Sequence, residues 1–87
     1  MRQDEALAIV SVESLTDFVW FEEPTNRANV VGIGRDGERW WTYTTDERAA
    51  VHGAVFFDDE EAALDDFIER LRALDRMMRW RARRRGQ

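Results

Sequence analysis

The sequence lacks cysteine and lysine altogether, and it contains a single histidine among its 87 residues. Without cysteine there is neither a disulfide framework nor a zinc site built on thiolates. Without lysine, arginine supplies all 13 basic side chains, a bias typical of a GC-rich genome or of selection for the bidentate guanidinium fork. His52 has neither a nucleophile nor an orienting carboxylate beside it in the sequence, so we expect a strand residue without a catalytic role.

Long apolar runs are also absent. No stretch approaches the roughly 18 consecutive apolar residues that a membrane span needs. The N-terminus turns acidic at Asp4 and does not continue into the apolar core of a signal peptide. We therefore expect a cytoplasmic protein without membrane association, built as one domain with a thin hydrophobic core.

The charges that are present are divided unevenly along the chain. Residues 1–75 hold all 18 acidic residues and 7 arginines, a net charge of −11, whereas residues 76–87 hold 6 arginines and no acid. An acidic body attracts basic macromolecules and disfavours nucleic acid as a partner, except at the arginine-rich end. We predict a single α+β domain over residues 1–80 and a frayed arginine-rich tail over residues 81–87.

The middle of the chain predicts a β-hairpin. Two runs rich in β-branched and aromatic residues, 30–35 and 38–45, flank the dipeptide Asp36-Gly37, which is typical of a two-residue hairpin turn. A further strand is predicted over 51–57 and an earlier one over 17–22. The first dozen residues carry both strand and helix signals, and we favour a strand over 6–12.

The hairpin also predicts which side chains share a face of the sheet. Pairing Arg35 with Glu38 sets Gly32 opposite Trp41, where the glycine leaves room for the indole ring. Because side chains alternate along a strand, Trp40 and Trp41 are expected on opposite faces. The face that a helix covers therefore decides which of the two tryptophans is exposed.

The C-terminal part of the chain predicts a long helix over 59–80. Asp58 and Glu61 have the spacing of a capping box, and the acids come first and the arginines last, as the helix dipole favours. The apolar stripe that would pack on the sheet is Leu64, Phe67, Ile68, Leu71, Leu74 and Met78. The predicted fold is thus α+β: an antiparallel β-meander of four to five strands with one long C-terminal helix packed on one face.

One helix covers only one face of a sheet, which leaves the other face for solvent or a partner. Aromatic side chains on an open face are typical hot spots of protein binding, although stacking on single-stranded nucleic acid or packing against the N-terminal segment would also use them. The candidate partner-binding residues are the aromatic anchors Trp41 and Tyr43 with the acidic rim Asp46, Glu47, Glu22 and Glu23.

No cofactor or metal is expected. Glycines 32, 34 and 37 match a dinucleotide fingerprint by spacing only, because a turn and a strand follow them where the fingerprint needs a helix. The acidic run 58–61 lacks the alternating oxygen ligands and the central glycine of a calcium loop. Helix capping explains these acids more simply.

Three motifs follow one another between residues 30 and 74. They are Arg35-Asp36-Gly37 before Trp40, Asp46-Glu47-Arg48 after Tyr43, and Phe57-Asp58-Asp59-Glu60 before a leucine-rich helix. With these motifs the chain resembles a small immunity protein of bacterial polymorphic toxin systems. The resemblance implies a cytoplasmic antidote that binds a cognate toxin domain, often a nuclease or a nucleotide-consuming enzyme, and blocks its active site. Ala49 stands where related sequences often have glycine.

The leading hypothesis is therefore a non-enzymatic immunity or inhibitor protein, a monomer or weak homodimer, that neutralises a basic toxin domain through an acidic, aromatic surface. Two alternatives stay open. One is a small nucleic-acid-associated or regulatory protein that uses the arginine tail. The other is a dimeric assembly module held by the C-terminal helix, whose heptad seam would be Leu64, Phe67, Leu71, Leu74 and Met78.

Overall fold

The computed structural model describes residues 1–23 and 26–85. In that part of the chain, four strands form one sheet in the order β1-β2-β3-β4, and two helices accompany it. The elements are α1 (Gln3–Val12), β1 (Phe18–Trp20), β2 (Val31–Asp36), β3 (Arg39–Thr45), β4 (Val51–Phe57) and α2 (Glu60–Arg85). The predicted α+β class, with its long C-terminal helix, is confirmed.

The strand predicted over 6–12 is wrong, because the chain forms α1 there. Asp4 and Glu5 occupy its first turn, where acidic side chains complement the helix dipole. Ala6 is fully buried in the core that α2 builds, and Ile9 packs against the same core. Tertiary packing thus overrides the β-propensity of the residues that follow Ala8.

The sheet departs from a pure antiparallel meander at its first strand. β1 pairs with β2 in parallel, with Val19 opposite Gly32, whereas β2, β3 and β4 are antiparallel to one another. β1 is also shorter than the strand predicted over 17–22. A parallel pair needs a connection that returns to the same end of the sheet, which a meander of antiparallel strands does not contain.

The hairpin register differs from the predicted one by two residues. Asp36 pairs with Arg39, so the loop consists of Gly37 and Glu38. Gly37 has a φ of 65°, and the first loop position of the favoured hairpin turns requires such a positive φ. The placement of Gly37 at that position therefore explains the shift.

A shift of two residues leaves every side chain on its predicted face. Trp40 and Trp41 do lie on opposite faces, with Trp40 packed towards the helical layer. The glycines, however, face other rings than expected: Gly32 lies opposite Tyr43, and Gly34 lies opposite Trp41.

Helix α2 covers the face of the sheet that carries Trp40. The Trp40 indole Nε1 donates a hydrogen bond to the Glu60 carboxylate at 3.1 Å. Asp59 precedes the helix, and its carboxylate accepts a hydrogen bond from the backbone N–H of Glu61 at 2.9 Å, as an N-cap residue does. The side chains that α2 buries in the core are Ala63, Leu64, Phe67, Ile68 and Leu71.

At its other end α2 is longer than predicted. It continues through Arg85 and does not end at Trp80, so the arginines of the expected tail lie on helix as far as that residue. Gly86 and Gln87, the last two residues of the predicted tail, lie outside the described residues. Met78, the last member of the predicted apolar stripe, is 39% exposed, because it lies beyond the buried part of the helix.

Candidate partner-binding cleft

The face of the sheet opposite α2 carries a row of three aromatic rings. The Trp41 ring stacks on Tyr43 with a centroid distance of 4.4 Å, and it lies nearly parallel to Phe56 at 6.0 Å. Trp41 and Tyr43 are alternate residues of β3, and Phe56 is the partner of Trp41 on β4. The row runs from fully buried Tyr43, through half-buried Trp41, to Phe56, which is 43% exposed.

These rings adjoin a shallow cleft of about 680 Å³. Its apolar wall consists of Phe21, Trp41 and Phe56, and Gly34 beneath Trp41 gives the indole room to lie flat against the sheet. The charged side chains around the cleft are Glu22, Glu23 and Asp36. Arg35 also lines the cleft, but its guanidinium lies 4.7 Å from the centre of the Trp40 ring, on the helical side of the sheet. We call this set of residues the aromatic cleft.

The chemistry of the aromatic cleft suits a cationic side chain. An arginine or lysine gains from lying over an indole or phenyl face, and it gains further from charge-assisted hydrogen bonds to carboxylates at the rim. The protein already makes such a contact at the edge of the cleft, where the Arg39 guanidinium lies 4.6 Å from the centre of the Phe56 ring.

The structure brings together three of the six predicted site residues. Trp41, Glu22 and Glu23 all line the aromatic cleft. Tyr43 is only 1% exposed, and burial, assisted by the charge of Glu23, raises the pKa of its phenol. Tyr43 therefore lies underneath Trp41 and supports its ring from within the fold.

Asp46 and Glu47 lie apart from the aromatic cleft, in the turn between β3 and β4. The Asp46 carboxylate accepts hydrogen bonds from the backbone N–H groups of Arg48 and Ala50, at 2.8 and 2.9 Å, and contacts His52 Nε2 at 2.8 Å. Led by the Ala50 backbone bond, these contacts lower the pKa of Asp46. Asp46 thus orders the turn, while Glu47 is exposed beside it.

Ala49 lies in the same turn, in a strained backbone conformation. Ala49 has a φ of 65°, a left-handed conformation in which a Cβ atom costs roughly 1–2 kcal/mol. We expect Ala49→Gly to raise the free energy of unfolding by about 0.5–1 kcal/mol, the relief of strain being partly offset by the extra freedom of glycine in the unfolded chain. Urea denaturation measures this. The matched control Ala73→Gly, at an exposed position of α2, should lower the free energy of unfolding. A loss of stability in Ala49→Gly would contradict the strained conformation of the turn.

Sequence reasoning missed Phe56, Phe21 and Asp36 as residues of the aromatic cleft. The strand over 51–57 was predicted, but its pairing with β3 contains a bulge: Thr42 pairs with Val55, and the next pair joins Thr44 to His52. That extra residue on β4 is hard to foresee from sequence. A rule that Trp41 needs an aromatic cross-strand neighbour would have pointed to Phe56 or Phe57.

Within residues 1–23 and 26–85, no three histidine, aspartate or glutamate side chains converge in the way metal ligands do. In the same ranges, no helix combines the length and the apolar character needed to cross a bilayer. Comparison of the chain with models of protein families, with curated proteins and with solved structures finds no match. The function is therefore inferred from the geometry of the aromatic cleft and the distribution of charge.

Proposed function

We propose that this protein is a non-enzymatic inhibitor of the immunity type, which binds a basic toxin domain through the aromatic cleft and so neutralises it. The observation that carries the proposal is an acid-rimmed aromatic surface on the one sheet face that α2 leaves uncovered. Aromatic side chains at the centre of such a surface, with charged groups at the rim, are the usual anatomy of a protein-binding hot spot.

Charge supports a basic partner. The first 75 residues carry a net charge of −11, and Glu22, Glu23 and Asp36 concentrate negative charge beside the rings. Toxin domains that act on nucleic acids or nucleotides need basic active sites to hold phosphates. An acidic inhibitor associates quickly with such a site and blocks it by charge complementarity.

The shape of the aromatic cleft supports a macromolecular partner over a small one. A pocket for a small molecule encloses most of its ligand, whereas this cleft is shallow and Phe56 at its edge is 43% exposed. A protruding arginine or lysine of a toxin loop fits here, with its aliphatic stem on Trp41 and its charge at the rim.

Co-expression tests the proposal. Domains encoded by the neighbouring genes are expressed in a test bacterium, and a domain that kills it is expressed again together with the protein while surviving colonies are counted. A catalytically inactive form of the same domain is then purified with the protein. We expect rescue and a stable complex of the two chains. Absence of both rescue and complex would refute the immunity function.

A further inference from the structure

The last third of α2 extends away from the packed body. Every residue from Arg76 to Arg85 is exposed, including Met77, Met78 and Trp80. The groove where the helix leaves the sheet ends at Met77. Helix ends without packing tend to fray. Within the chain, the i,i+4 contacts Asp75–Arg79 and Trp80–Arg84 support this extension, and packing against a partner would stabilise it further.

Charge along the outer face of α2 changes sign at its middle. In the first half of the helix, the exposed residues at four-residue steps are acidic: Glu61, Asp65 and Glu69. In the second half, the same face continues at seven-residue steps with two exposed arginines, Arg76 and Arg83. Exposed Ala73 lies between the two halves. The exposed carboxylates of the outer face thus precede Ala73 and the exposed arginines follow it. The N-terminal ammonium group of Met1 pairs with two of these carboxylates, Asp65 at 2.9 Å and Glu61 at 3.9 Å, whereas Glu69 has no such partner among the described residues.

We infer that a second copy of the chain covers this face, with the two α2 helices antiparallel about a two-fold axis close to Ala73. In that arrangement Arg76 of each copy lies beside Glu69 of the other, and Arg83 lies beside the turn that contains Glu61. A two-fold axis makes every such pair occur twice. The parallel arrangement would set Arg76 and Arg83 of one copy beside the same arginines of the other, and this repulsion disfavours it.

Two features of the helix favour close pairing at this face. Ala73 is small, so the helix axes can approach at the centre of the contact to the 8–10 Å typical of packed helices. Trp80 is 52% exposed, with the Arg84 guanidinium 5.0 Å from its ring centre. Pairing about Ala73 sets this indole beside the turn of the second copy's α2 that contains Asp65.

This dimer differs from the one predicted from heptads. Leu64, Phe67 and Leu71 of the heptad seam are fully buried against the sheet, so that seam is already occupied within one chain. Among the described residues, neither Glu69 nor Arg76 has an ion-pair partner in its own chain. Both are free to pair across the two-fold axis.

Sedimentation velocity over a range of protein concentrations at low and high salt tests the dimer. We expect a dimer at low salt that dissociates as salt screens the pairs. Glu69→Arg and Arg76→Glu should each weaken dimerisation about tenfold or more, and the double variant should restore it, since both pairs are then reversed. Arg81→Glu, an equal charge change on the opposite side of α2, is the matched control. Circular dichroism verifies that each variant is folded.

Three results would overturn the dimer. The first is a monomer at low salt at every concentration. The second is equal weakening by Arg81→Glu and Arg76→Glu, or failure of the double variant to recover, because then net charge and not the pairing would govern association. The third is association only when an RNA oligonucleotide is added, which would make a polyanion the ligand of the arginines. None of these outcomes depends on toxin binding.

Discussion

Replacing Gly32 with alanine is expected to lower the free energy of unfolding by roughly 3 kcal/mol, near the upper end of the usual range for overpacking. A Cβ atom at this position would lie 2.0 Å from Cζ of Tyr43 and 2.3 Å from its hydroxyl oxygen. The ring has nowhere to go, because Tyr43 is 1% exposed and stacked on Trp41. Urea denaturation of the variant and of the wild type measures the change.

Two other glycines of the hairpin provide matched controls. At Gly34 a Cβ atom would lie 2.9 Å from Nε1 of Trp41, a ring that is only half-buried and can shift, so a smaller loss is expected. At Gly37 there is no neighbouring atom within 4 Å, but the φ of 65° makes alanine cost roughly 1 kcal/mol. Equal losses at all three positions, or a Gly32→Ala variant as stable as wild type, would contradict the packing described for Tyr43.

Trp41→Ala is expected to raise the dissociation constant for the toxin domain about 100-fold, the effect of losing one hot-spot side chain. The indole forms the centre of the aromatic cleft, and its loss removes the surface that a cationic side chain would cover. Because Trp41 also shields Tyr43, some loss of stability accompanies the change. Isothermal titration calorimetry measures affinity on variant protein shown to be folded.

Two variants separate a binding effect from a structural one. Trp41→Phe retains a ring that can stack on Tyr43, and it should recover most of the affinity. Leu7→Ala removes an apolar side chain that is 44% exposed on α1, on the helical side of the sheet, and should leave affinity unchanged. Wild-type affinity in Trp41→Ala would remove the aromatic cleft from the interface.

The parts of the fold that sequence predicted well are those with strong local signals. The hairpin, β4 and the core of α2 follow from alternation, turn chemistry and helical periodicity, all of which act over a few residues. The parallel β1 and the helix α1 depend on contacts with distant parts of the chain. Ala6 is buried by α2, and Val19 pairs with Gly32. Neither contact can be predicted from the sequence immediately around these residues.

The aromatic cleft could be predicted in part for the same reason. Alternation predicted that one of two adjacent tryptophans would lie on the free face, and the structure assigns that place to Trp41. The burial of Tyr43 was not foreseeable, because it depends on the exact register that brings Gly32 beneath its ring. Phe56 was missed because a bulge on β4 sets its pairing.

The decisive measurement is a two-dimensional ¹H–¹⁵N NMR titration of the labelled protein with the inactive toxin domain. Four tryptophan indoles report on different places: Trp41 in the aromatic cleft, Trp80 on the exposed end of α2, and Trp40 and Trp20 on the helical side. If the aromatic cleft is the binding surface, the Trp41 indole resonance shifts or broadens first, together with the amide of Gly34. A shift of the Trp80 indole resonance without a change at Trp41 would contradict binding at the aromatic cleft.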